Sequence, residues 1–154
     1  MRPSLLDRLL DDQPELKGEP VLNRGLSYGQ LRTVIERDLE QLLNTRCFPE
    51  EIPEGASEVR RSLQVYGLAD FSSKNPSLPV VRSELRHELE RAVTLFEPRL
   101  RNVGVRLESP AAGERRLKFK ITAQLQMEDD LAEPVSFEAY FDSNRGEYSI
   151  SRQR

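Results

Sequence analysis

The sequence has no tryptophan, one cysteine and one histidine among its 154 residues. Each scarcity excludes something. A lone Cys47 forbids an internal disulfide and leaves a cysteine-cluster metal site without ligands. With His87 as the only histidine, the usual nitrogen and sulfur donors of a metal centre cannot be assembled, so neither metal nor cofactor is expected. There is no glycine-rich phosphate loop, no repeat and no low-complexity run. No apolar stretch approaches the roughly 20 residues of a membrane-spanning helix. The first residues carry Asp7, Asp11 and Asp12 and lack the long apolar core of a signal peptide. Charge of one sign is lacking too. Twenty-six acidic residues against 23 Lys and Arg leave a net charge of -3, with no global pull toward nucleic acid or acidic lipid. These absences lead us to expect a cytoplasmic protein with no nucleic-acid partner and no direct membrane insertion.

Hydrophobic residues make up 37% and charged residues 32% of the chain, enough apolar content to fold and enough charge to stay dissolved. The length is that of a single domain able to bury roughly two-thirds of its unfolded surface. The pattern turns at Phe96-Glu97-Pro98-Arg99-Leu100. Before it, Val81, Leu85, Leu89, Ala92, Val93 and Phe96 recur at helical spacing, from a start at Pro79. After it, Val103, Val105 and Leu107 alternate as in a half-buried strand. Pro98 accounts for the switch, because it drives Glu97 out of the helical region. In an extended pentapeptide, Glu97 and Arg99 project to one side, while Phe96, Pro98 and Leu100 anchor the other.

In chain order, Ser4 to Leu10 forms a short amphipathic helix with an edge of Leu5, Leu6, Leu9 and Leu10. Such a helix is marginal alone. It either folds back on the domain or docks on a partner. Residues 1–20 are therefore read as an arm and residues 21–154 as one domain. Ser27 and Gln30 fit a capping box opening a helix to Asn44. Its stripe is Leu31, Val34, Ile35, Leu39, Leu42 and Leu43, with Arg32, Glu36, Arg37 and Glu40 on the wet flank. Cys47 lies in a proline-bearing loop, a small hydrophobe rather than a nucleophile. Ser57 to Tyr66 reads as a short helix stopped by Gly67, followed by a turn anchored on Leu68 and Phe71. His87 falls opposite the apolar stripe of its helix, so it is expected to be exposed and non-catalytic. Leu117, Phe119, Ile121, Ala123, Leu125 and Met127 alternate without a break, and Val135, Phe137, Ala139 and Phe141 do so again after an acidic turn at 128–133. Asp142 to Gly146 makes a hairpin loop into a last strand at 147–151. The fold class is α+β: N-terminal helices on one face of a C-terminal, mostly antiparallel sheet of about four strands.

No catalytic constellation emerges. A glycan hydrolase needs two carboxylates across a cleft, one of them in an apolar pocket, whereas the acids here lie on predicted wet faces and turns. A Ser-His-Asp site would have to use His87. Arg116, Lys118 and Lys120 lack the interleaved aromatics of a nucleic-acid surface.

Four stretches together carry a resemblance: Ser4-Leu5-Leu6-Asp7-Arg8-Leu9, Arg37 to Arg46 (RDLEQLLNTR), Tyr66 to Phe71 (YGLADF) and Phe96 to Leu100 (FEPRL). In order and spacing the chain resembles the TssE family of type VI secretion baseplate subunits, relatives of the lysozyme-like wedge protein of contractile-phage baseplates. Ala69 departs from the proline expected there. The resemblance implies a structural, non-enzymatic wedge component at the inner-membrane-docked baseplate. Its implied partners are other wedge subunits (TssF, TssG and TssK-like) and sheath subunits (TssB/TssC-like), for which it provides the assembly platform. A peptidoglycan hydrolase acting during apparatus insertion is the alternative. The expected partner-binding residues are Glu97, Pro98 and Arg99 at the corner, Leu5, Leu6, Asp7, Arg8 and Leu9 in the arm, and Tyr148, Ser149 and Ile150 on a terminal edge strand open to strand addition. Proline at Ser149 or Ser151 is expected to block that edge at only one of the two positions.

Overall fold

A computed structural model describes residues 27–47, 52–53, 55–71, 74–75, 78–108, 116–126, 131–142 and 144–151. The arm residues Leu5, Leu6, Asp7, Arg8 and Leu9 lie outside them, as do Met127 and residues 128–130 of the acidic turn.

The capping box at Ser27 forms: Ser27 Oγ accepts from the Gln30 N–H, and Gln30 Oε1 accepts from the Ser27 N–H at 2.9 Å. It opens helix α1, Tyr28–Asn44, whose stripe Leu31, Ile35, Leu39, Leu42 and Leu43 is buried. Helix α2, Pro79–Phe96, starts on its proline and buries Leu85, Leu89, Ala92 and Val93. Strands β1 (Leu100–Leu107), β2 (Arg116–Gln126), β3 (Ala132–Asp142) and β4 (Glu147–Ser151) form one antiparallel sheet in the order β1-β2-β3-β4. Period-two burial selects the inner face, with Leu117, Phe119, Ile121, Ala123 and Leu125 of β2 opposite Phe141, Ala139, Phe137, Val135 and Glu133 of β3. Both helices pack on that face, α2 nearest β1 and α1 nearest β4. Phe119 and Phe137 are fully enclosed, each worth about 1.5–3 kcal/mol of transfer free energy. The other face stays wet, with Lys118, Lys120, Thr122 and Gln124.

Three expectations about elements need correction. Residues 57–66 form two separate 3-10 turns, Val59–Arg61 and Leu63–Val65, instead of one helix. Ser62 breaks them: its Oγ donates to the Val59 carbonyl at 2.8 Å and accepts from the Gln64 N–H, local bonds that compete with helix propagation. Glu133 belongs to β3, paired opposite Leu125, and not to the acidic turn. Glu36 is buried, 6% exposed, because Arg32 covers it with an i,i+4 ion pair at 3.1 Å and reaches on to the Ser136 carbonyl at 3.2 Å.

The stretch Tyr66–Phe71 is strapped to the end of α1. The Leu68 N–H donates to the Thr45 carbonyl at 2.9 Å, and the Cys47 N–H donates to the Leu68 carbonyl at 2.8 Å. Gly67 has φ +111°, and a Cβ there would stand 2.3 Å from the Thr45 carbonyl oxygen, so glycine is required on two counts. Leu68 and Phe71 anchor the strap in the core as expected.

Candidate functional site

The helix-to-strand corner is a turn, with the Leu100 N–H donating to the Glu97 carbonyl at 3.0 Å. This inverts the expected orientation. Glu97 is buried, 4% exposed, and Pro98 is exposed. The cause is the turn itself. It folds the Glu97 carboxylate back under Arg99, where it accepts from the Arg99 backbone N–H at 3.2 Å, from Nε at 2.6 Å and from Nη2. Leu100 then enters the core.

Arg99 does more than close this ring. Its Nη2 also donates to Asp38 Oδ2 of α1 at 2.6 Å, and Asp38 Oδ1 accepts from Arg37 Nη2 at 2.8 Å. The result is a chain of alternating charge, Glu97–Arg99–Asp38–Arg37, joining the end of α2 to the middle of α1. Arg99 and Asp38 keep 23% and 24% of their side-chain surface in water, while Glu97 keeps 6%, so the chain runs from inside to rim. Burial draws the Arg99 guanidinium toward deprotonation, but the hydrogen bonds and charge of Glu97, then those of Asp38, more than reverse it and hold its pKa above the ordinary value. Tyr66 packs edge-on against Phe96 with ring centroids 5.0 Å apart. Its phenol is pushed up by burial and then by the charges of Asp38 and Glu97.

The final strand is at the sheet edge, as expected. Tyr148 is buried, Ser149 exposed and Ile150 half-buried. Its outward backbone is not all open, because the Tyr148 N–H donates to Asn44 Oδ1 and the Tyr148 carbonyl accepts from Asn44 Nδ2, both at 2.8 Å. Alternation then turns Ser149 and Ser151 toward β3 and Ile150 outward. The two serines, being two residues apart, face the same way, which corrects the expectation that proline would act selectively at one of them.

His87 is exposed, as expected, with its Nδ1 3.8 Å from Glu90 Oε2 and its Nε2 3.3 Å from Arg86 Nη2. Among the described residues no group of three or more His, Cys, Asp or Glu is placed to hold a metal ion. No helix among them is long and apolar enough to cross a membrane. A groove of about 610 Å³ beside β4 is lined by Glu40, Asp142 and Glu147, none of them buried in an apolar pocket. Sequence reasoning missed Asp38 and Asn44. The signal for Asp38 was its place between Ile35 and Leu42, inside the apolar stripe. Nothing local marked Asn44.

The structure thus joins three of the four motifs: Asp38 to Arg99, Tyr66 to Phe96, and Arg46 to Asp70 at 3.3 Å. Comparison with known proteins agrees. A family profile for the baseplate wedge protein gp25 matches residues 29–130, from α1 through β2. A chain from a solved structure described as the baseplate complex from the type VI secretion system superimposes with a TM-score of 0.51 at 18% identity, covering 72% of this chain and 93% of that one. At that identity the likeness is one of fold. No curated protein sequence matches. With the profile spanning more than half of its residues and three of the motifs inside it, the chain belongs to the baseplate wedge protein gp25 family.

Proposed function

We propose that this protein is a structural wedge component of a type VI secretion baseplate. It docks on neighbouring wedge subunits of the TssF, TssG and TssK kinds and offers the platform on which TssB/TssC-like sheath subunits begin to polymerise. It works in the cytoplasm, at the docked baseplate. The observation that carries the docking site is the corner. Pro98 stands exposed on a turn fixed from beneath by the buried Glu97, with the half-exposed Arg99 and Asp38 beside it. A rigid, partly desolvated charged rim loses little entropy on binding. Leu5, Leu6, Asp7, Arg8 and Leu9, in the arm of residues 1–20, are a second docking element. No chemistry is assigned: the two buried carboxylates among the described residues, Glu36 and Glu97, each sit under an arginine.

The test uses a variant that leaves the buried ion pair in place. Pro98→Glu puts a long charged side chain on the exposed turn at a folding cost of only about 0.4–1 kcal/mol. Its recovery of TssF and TssG in a pull-down is expected to fall at least tenfold while the melting temperature holds within a few degrees. Wild-type recovery by a folded Pro98→Glu protein would remove the corner from the interface. Purified protein is expected to release no muropeptides from peptidoglycan, and release abolished by changing one Asp or Glu would establish the hydrolase reading instead.

A further inference from the structure

Both edges of the sheet are shut by helix side chains, but not equally. On the β1 edge, Glu90 of α2 accepts from the Val105 N–H at 2.9 Å, and Arg82 donates to the Leu107 and Glu108 carbonyls at 3.3 and 3.0 Å. These are charged groups, and hydrogen bonds to charged groups are roughly twice as strong as neutral ones. On the other side, β4 pairs only with Glu138–Asp142 of β3, so the first half of β3 is an edge as well. There Pro134 has no N–H to leave unpaired, and Arg32 of α1 covers the Ser136 carbonyl. Among the described residues the remaining closure is on β4, where one neutral side chain, Asn44, holds Tyr148.

The geometry of that contact is specific. In an antiparallel ladder, one residue of a neighbouring strand gives an N–H to, and takes an N–H from, the residue opposite. The Asn44 carboxamide offers the same pair: Oδ1 accepts from the Tyr148 N–H, and Nδ2 donates to the Tyr148 carbonyl, both at 2.8 Å. The second Nδ2 hydrogen goes to the Glu40 carbonyl in the last turn of α1 at 2.9 Å, which ties the mimic to the helix end. The groove of about 610 Å³ alongside, lined by Glu40, Arg46, Arg145 and Glu147, runs past this contact. The next outward backbone on the strand is that of Ile150.

We propose that Asn44 is a stand-in for the peptide group of a neighbouring strand: it keeps the β4 edge closed in the free subunit, and an extended segment of a partner pairs with β4 only by replacing it at Tyr148. The incoming segment is that of a sheath subunit, and for this identity the inference rests on the platform reading above. The lock itself does not depend on it. The weaker, neutral closure makes β4, and not β1, the edge that opens.

Amide hydrogen exchange on the full-length protein tests the lock. In the wild type, the Tyr148 amide should be protected and the Ile150 amide should exchange quickly, although both point away from β3. In Asn44→Ala the Tyr148 amide should exchange roughly 5- to 50-fold faster, the equivalent of one to two neutral hydrogen bonds, with Ile121 and Phe137 unchanged. Equal exchange at Tyr148 and Ile150 in the wild type, or no change in the variant, would overturn the proposal. Mixed with purified sheath subunits and assembled wedge, Asn44→Ala should shorten the lag before sheath growth several-fold. An unchanged lag would mean that Asn44 does not compete with the incoming strand. If the wild type nucleates no sheath at all, the platform reading fails and the exchange data still decide the lock. Should Asn44→Ala fail to fold, Asn44→Ser, whose hydroxyl can still donate to the Glu40 carbonyl, carries the same measurements.

Discussion

Arg99 is the residue on which the corner turns. Among the described residues it is the sole guanidinium hydrogen-bonded to the buried Glu97 carboxylate and one of two on Asp38. Truncating one member of a buried pair leaves the other charge uncompensated, which costs about 3–5 kcal/mol when burial is complete. With 23% of the Arg99 side chain in water, the lower end applies to Arg99→Ala, about 3 kcal/mol, or roughly 6–12 °C in melting temperature for a domain of this size. Removing both charges together, as in Glu97→Leu with Arg99→Leu, should recover most of that loss, because the penalty lies in the orphaned charge. Thermal melts of the three variants check this, and an Arg99→Ala melt equal to wild type would mean the cluster contributes nothing to the fold. Loss of partner binding in Arg99→Ala by itself therefore does not distinguish a docking role from a folding one, which is why the exposed Pro98 is the cleaner probe.

At the scale of elements, β4 has two backbone faces with different duties. Ser149 and Ser151 give their amides to β3, so Ser149→Pro and Ser151→Pro should each remove a ladder bond and destabilise the protein by about 1–3 kcal/mol. Ile150→Pro should leave the ladder intact while closing the outward face, lowering sheath nucleation with little change in the urea midpoint. Urea titrations beside nucleation assays separate the two, and equal destabilisation by all three prolines would contradict the orientation of the strand. The elements themselves were readable from the chain because their burial is periodic: Leu31 to Leu43 at helical steps, Leu117 to Leu125 at steps of two, and Ser27 with Gln30 at the cap. The break at Ser62 depended on local side-chain bonds that outweigh a weak helical pattern. The corner was readable as a site but not in its orientation, since extended alternation predicts an outward Glu97 and a turn reverses it. Asp38 was marked only by its place inside the apolar stripe, and the partners of Asp38 and Asn44 were not readable because they lie 61 and 104 residues away. Spacing along a helix says which face a residue occupies, not which backbone group arrives there.

For the molecule as a whole, one buried and one partly buried phenol set a limit on alkaline stability. Tyr148 is held above its usual value by burial and then by the charge of Asp70, and Tyr66 by burial and then by Asp38 and Glu97. Below pH 10, the ordinary value for both, folded and unfolded chains alike keep the proton and nothing changes. Above it the unfolded chain ionises first, so stability should fall as pH rises toward the folded values, by up to about 1.4 kcal/mol per pH unit for Tyr148 and by less for the more solvated Tyr66. Denaturation followed above pH 10 should show a shallower decline in Tyr148→Phe, and identical slopes would remove Tyr148 from the cause. The sheet order has a different consequence, in time. Each strand pairs with its neighbour in the chain, so the meander closes only short loops. The ties of α1 to Ser136 and Tyr148 each span 104 residues. Helix α1 leaves the ribosome before the strands that carry these partners. At about 5–20 residues per second, its stripe of Leu31, Ile35 and Leu39 waits roughly 5–20 s for a surface to cover it.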